Sequence, residues 1–302
     1  MIAIDLGSNT LRCISYDCQT KEWGEEYETV VRTADGLQVN KIINEKAINR
    51  VITALLEADK KLDFSSHEVV AFTTEAMRQA ENSAEVLEEI FAKTGVLFNI
   101  IDGEREAALT TKAVKGRLDI LNFSSSSFTL VDIGGGSTEI IFYKNGNLTS
   151  KSFNIGIVTL SESSDDIYVI RKNLDKLLIP VKEYISSYYA TYHKPEIFVQ
   201  TAGTPTTIAA YLQNMNYHTY DASRINGYVL DPRGCQKTMD DLLGMDEQTR
   251  AFYVGVGREE LIISGIIIVQ KLYELLGYTS SVVIDDGLRE GIALSYCEKS
   301  DK

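Results

Sequence analysis

The chain has 302 residues, 44% hydrophobic and 24% charged, with a formal net charge of −13. That length can bury a large core and suggests two domains rather than one. The acidity argues against a nucleic-acid ligand, which needs a basic surface to displace counterions, and it confines any anionic substrate to a cleft with its own positive groups.

The first half alternates strand-like and helix-like segments. Residues 2–4 and 11–16 read as strands flanking a turn, and 44–62 carries Ile48, Val51, Ile52, Leu55 and Leu56 at helical spacing. A strand is expected at 69–73, a helix at 84–94 with Gly95 as its stop, a strand at 96–101 and a helix at 104–114. A serine-rich turn at 123–127 separates the halves, giving expected lobes at 1–121 and 122–287, with the last helix, about 288–302, packing back on the first lobe. Strands follow at 129–133 and 139–143, then a hairpin centred on Asn145-Gly146. The apolar stripe over 167–189 predicts one long helix kinked at Pro180. A strand at 197–200, helices at 204–212 and 261–276, a strand at 282–284 and a helix at 288–297 complete the reading.

The longest apolar run, 261–269, is interrupted by Ser264 and Gly265 and is too short to cross a bilayer, so no membrane partner is expected. Cys13, Cys18, Cys235 and Cys297 have no CxxC spacing and read as buried or free thiols in a reducing compartment. The amino terminus shows no basic segment followed by an apolar core, so a cytoplasmic location is expected. His67, His193 and His218 are scattered and suggest no metal cluster. Tyr188, Tyr189 and Tyr192 read as packing or as a contact in a homodimer.

Two turns carry the chemistry. MIAIDLGSNT at 1–10 and TLVDIGGGSTEI at 129–140 each deliver an aspartate from an apolar run, then small residues, then hydroxyls. Both read as strand–turn–strand. Glycine lets backbone approach an anion and leaves amides to point at it. The candidate phosphate donors are Gly7, Ser8, Asn9 and Thr10, and Gly134, Gly135, Gly136, Ser137 and Thr138. Asp5 and Asp132 repel phosphate, so Mg²⁺ or another divalent cation between carboxylate and phosphate completes each turn. The duplication suggests two actin-like α/β lobes with ligand in the cleft between them.

Other residues have two readings each. Gly203 and Thr204, in TAGTPTT, open a helix and offer either a phosphate site or ordinary capping. Glu104 and Glu106 suit a helix dipole, while a general base for water would need one of them to face the site. Glu139 is either a metal-linked carboxylate or an outward strand residue. Arg78 and Arg289 are surface charges or phosphate clamps.

DLGSNTLR, TTEAMRQAEN, IDGEREAAL, DIGGGSTEI, TAGTPTTIAA, GREELIISG and DGLREGIAL follow one another in the order seen in the exopolyphosphatase/guanosine pentaphosphate phosphohydrolase (Ppx/GppA) family, which this chain resembles nearly throughout. It looks like the short, two-domain form. The resemblance implies the duplicated actin-like, ribonuclease H-like fold and Mg²⁺-dependent removal of a terminal phosphate from polyphosphate or guanosine pentaphosphate. Matched to the family pattern, the base is Glu106, the acidic residues linked to metal and water are Asp132 and Glu139, the phosphate loops are 5–10 and 134–138, and the two arginines are Arg78 and Arg289. Two departures are Arg105, where many members have a first glutamate, and Pro205 in the TAGT turn. A kinase or ATPase of the same fold and an alarmone-binding sensor without turnover are the competing expectations.

Overall fold

Ile2–Leu6 (β1) is apolar but for Asp5, because it is the middle strand of its sheet, with Ile2, Ala3, Ile4 and Leu6 fully buried. The computed structural model describes residues 1–300 and divides into two units, Met1–Ala113 with the chain from Asp286, and Val114–Asp285. In the first, β1 pairs antiparallel with Thr10–Tyr16 (β2), which pairs antiparallel with Trp23–Val30 (β3). On its other side β1 pairs parallel with Val69–Thr73 (β4), which pairs parallel with Phe98–Ile100 (β5), giving the order β3-β2-β1-β4-β5. Parallel neighbours need crossovers. Glu45–Leu62 supplies one, its Asn44 cap accepting the Ala47 N–H at 2.9 Å, and Ser83–Thr94 supplies the next, stopped by Gly95 at φ +72°.

The second unit repeats this plan. Ser127–Ile133 (β6), Thr138–Lys144 (β7) and Asn147–Phe153 (β8) form an antiparallel meander. Ile197–Thr201 (β9) joins β6 in parallel, Tyr228–Leu230 (β10) is an antiparallel edge, and Ser281–Val283 (β11) lies parallel to β9. The order β10-β11-β9-β6-β7-β8 therefore contains the first sheet's pattern with one edge strand added. Phe142 of β7 stacks on Tyr188 at 3.8 Å, so Tyr188 is a packing residue. The Leu261–Leu276 helix is buried along almost its whole length, which explains its lack of a polar face.

Two expectations are corrected. Residues 167–189 form two helices, Ile167–Leu177 and Ile179–Thr191, with Pro180 in the first turn of the second. Proline has no N–H to donate, which costs nothing there, so it starts a helix instead of kinking one. Cys18 and Cys297 are not free thiols: they form a disulfide with their Cα atoms 5.3 Å apart. Cys13 and Cys235 are buried free thiols, each pushed up to about 12 by burial. The last helix, Leu288–Ser300, packs Leu288, Ile292 and Ala293 against Ala3 and Ile14. Gly291 lets it touch the Gly103–Ile120 helix, since a Cβ there would lie 2.1 Å from the Leu109 carbonyl oxygen. Among the described residues no helix is long and apolar enough to cross a membrane.

Candidate active site

The two turns are built alike. Gly7 N–H donates to the Thr10 carbonyl at 3.0 Å, and Gly134 N–H to the Ser137 carbonyl at 2.9 Å. In each unit the chain after the third strand then takes up the turn's carbonyls. Ala34 N–H donates to Ser8 O, and Val31 and Arg32 N–H to Asn9 O; Ile157 and Val158 N–H donate to Gly134 O and Gly135 O. With the carbonyls engaged, the amides are left over: among the described residues no protein acceptor takes the N–H of Ser8, Asn9, Gly135 or Gly136. Successive free amides form a concavity suited to an anion. Gly156 supports the second turn, since a Cβ on it would lie 2.2 Å from the Gly135 carbonyl oxygen.

Each aspartate faces a different partner across its hairpin. Asp5 pairs in register with Arg12, and Asp132 with Glu139. Burial pushes the Asp5 carboxyl up to about 6, against the pull of Arg12 and then Arg289. Glu139 is buried, not an outward strand residue, and its Oε1 accepts from Ser137 Oγ at 2.8 Å and Ser152 Oγ at 2.7 Å. Asn9 Oδ1 is buried with no hydrogen-bond partner among the described residues. Among those residues no group of three His, Cys, Asp or Glu side chains could hold a metal alone. Asp132 and Glu139, side by side across their hairpin, fit a small hard cation that keeps waters and takes phosphate oxygens, because such an ion needs only one or two protein carboxylates.

Glu106, in the first turn of the Gly103–Ile120 helix, is 8% exposed. Its Oε2 accepts from Arg78 Nη1 at 2.9 Å. Arg78 also donates Nη1 to the Ile101 carbonyl at 2.6 Å, and Nε and Nη2 to Glu75 Oε2 at 2.9 and 2.7 Å. The site is tied to the first turn through β4: Thr73 Oγ1 donates to Leu6 O at 2.8 Å, and Ile101 N–H to Thr73 O at 3.0 Å.

The Ppx/GppA phosphatase family model matches residues 25–300. This chain belongs to the Ppx/GppA phosphatase family. It is 29% identical to exopolyphosphatase 2 of Mycobacterium tuberculosis, over 97% of each chain. It is 27% identical to a guanosine-5'-triphosphate,3'-diphosphate pyrophosphatase of Pseudoalteromonas translucida, over 97% of this chain and 58% of that one. The crystal structure of the Aquifex aeolicus Ppx/GppA family member matches with a TM-score of 0.73 at 27% identity, over 100% of this chain and 98% of that one. The fold is that of an exopolyphosphatase structure from Cytophaga hutchinsonii, TM-score 0.84 at 21% identity, over 98% of this chain and 97% of that one. The duplicated α/β architecture expected from the paired turns is therefore the architecture found.

Within this Ppx/GppA chain the expected phosphate donors differ in what they can offer. Thr138 Oγ1 donates to Ile155 O at 2.5 Å and Ser137 Oγ to Glu139, so both hydroxyls are engaged inside the unit. Thr204 is 1% exposed and packs against Gly265, where a Cβ would lie 2.2 Å from its Oγ1. Gly203 is half-buried with open space beside it, next to Ala202, which is held at φ +69°. Neither Thr204 nor Thr206 caps the helix; Ala202 is its N-cap and makes no side-chain cap bond. Pro205 lies in the first turn of Gly203–Leu212, where its missing N–H is no loss. Arg289 is buried, donates Nε to Glu290 Oε1 at 2.6 Å and pairs with Glu26 at 3.2 Å. Arg105, the family departure, reaches Ser295 Oγ at 3.4 Å. Sequence reasoning missed Arg12, Glu75, Gly156 and Glu290. Arg12 alone had a usable signal, its place opposite Asp5 in a hairpin.

Proposed function

We propose that this protein is a phosphohydrolase that removes the terminal phosphate from inorganic polyphosphate or guanosine pentaphosphate. The observation that carries the reading is the pair of matched turns with engaged carbonyls and unclaimed amides at Ser8, Asn9, Gly135 and Gly136. The names of relatives that match nearly the whole chain support it. In this reading those amides hold phosphate oxygens. Glu106 orients a water and takes its proton as the new P–O bond forms and the bridging P–O bond breaks. Asp132 and Glu139, paired across their hairpin, would hold Mg²⁺, which when bound would neutralise charge on the transferring phosphoryl group.

Phosphate release measured on polyphosphate and on guanosine pentaphosphate, with Mg²⁺ and with a chelator, tests the reading. Release from at least one substrate, lost on chelation and needing no acceptor, is expected. Release only when a hydroxyl acceptor is supplied would show a kinase instead. Calorimetric binding of either compound without phosphate release over hours would show a sensor.

A further inference from the structure

Arg78 is committed before any substrate arrives. Of its five N–H groups, Nε and one on Nη2 go to Glu75, and the two on Nη1 go to the Ile101 carbonyl and to Glu106. The two-oxygen fork that would clamp a phosphate is spent on Glu75 and the backbone. Glu75 is itself 8% exposed, its Oε1 accepts from Gln79 Nε2, and Gln79 Oε1 accepts from Gln38 Nε2 at 3.2 Å. Gln38 follows the stretch whose N–H groups hold the carbonyls of Ser8 and Asn9. A continuous hydrogen-bonded chain therefore runs from the segment behind the first turn to Glu106.

Resting on the hydrolase reading, we infer that Glu75 is a positioning residue for the reaction: it grips Arg78 so that one guanidinium N–H fixes Glu106 Oε2. One cation is shared by two carboxylates, which leaves the cluster with a net negative charge. On Glu106's own helix start, Asp102 and Glu104 are exposed and Arg105 leans to Ser295, while Arg78, gripped by Glu75, faces it from the neighbouring element.

The test is steady-state phosphate release from polyphosphate with Mg²⁺, across pH, for wild type, Glu75→Gln, Glu75→Asp and Arg78→Gln, with a melting curve for each. Glu75→Gln should lower kcat about tenfold to a hundredfold with KM within about threefold. It should move the acid limb of the kcat/KM profile to lower pH, because Arg78 then serves Glu106 alone. Arg78→Gln should move that limb to higher pH. Glu75→Asp keeps the charge but not the reach, and should lose turnover while leaving the limb in place, which keeps the inference testable if Glu75→Gln folds poorly. A rise in KM at constant kcat in Arg78→Gln would mark a substrate clamp and overturn the inference, as would a wild-type profile for Glu75→Gln. A wild type that releases no phosphate would overturn the functional reading and this inference together.

Discussion

Burial sets the behaviour of Asp5 more than its two arginine neighbours do, and its carboxyl sits near 6 in place of the ordinary 3.8. The folded protein then holds that proton more tightly than the unfolded chain does. Stability from this group falls as pH rises from about 4 to about 6, and the full cost is present above 6. Asp5→Asn should be more stable than wild type by about 2 kcal/mol at pH 8 in metal-free buffer, with the gap closing by pH 4; urea titrations at several pH values measure it. Equal stabilities at pH 8 would show that Arg12 and Arg289 cancel the burial cost. Asp5 was legible in the sequence because a carboxylate interrupts an apolar strand there. Glu75 and Glu290 were not, because an acidic residue at a helix start has an ordinary electrostatic reason to be there.

The hairpin turns were the most legible elements, since Asp, Gly and hydroxyl residues between apolar runs leave few alternatives to a strand pair. Their support was not legible, because Gly156 stands in sequence as one glycine among many. Gly156→Ala pushes a methyl into the backbone of Gly135 and Gly136, whose carbons lie 2.4 and 2.5 Å from the Cβ position. Turnover should fall at least about tenfold through displacement of that turn, while Gly116→Ala, with open space around it in the Gly103–Ile120 helix, leaves activity unchanged and stabilises by about 0.5–1 kcal/mol. Equal activities of the two variants would show that the second turn need not hold its shape. Between 213 and 260 the sequence reading gave no elements, although Pro232–Leu243 and Glu247–Val254 are helices. Asp231 before Pro232 and Asp246 before Glu247 were cap signals; the buried face of Pro232–Leu243 carries Thr238 beside Cys235, Met239 and Leu242, which blurs its apolar stripe, and Glu247–Val254 spans only 8 residues. Trp23–Val30 escaped because it is an edge strand carrying Glu25, Glu26 and Glu28.

Across the whole molecule, the Cys18–Cys297 bond joins residues 279 apart and fastens the last helix to the first unit. Pairing of this kind has no sequence signature without the fold, so spacing rules read these cysteines as free. Cys18→Ser should lower the unfolding free energy by about 2–4 kcal/mol without reductant, and the difference should disappear when reductant is present. Identical denaturation curves without reductant would show that the bond does not form. The central claim is that Glu106, held in the site, activates water against a terminal phosphoryl group. The measurement that meets it most directly is phosphate release from polyphosphate by Glu106→Gln with Mg²⁺ at saturating substrate. Turnover lower by about 10²–10⁴ with unchanged KM and melting temperature is the predicted result, and full turnover in that variant contradicts the claim.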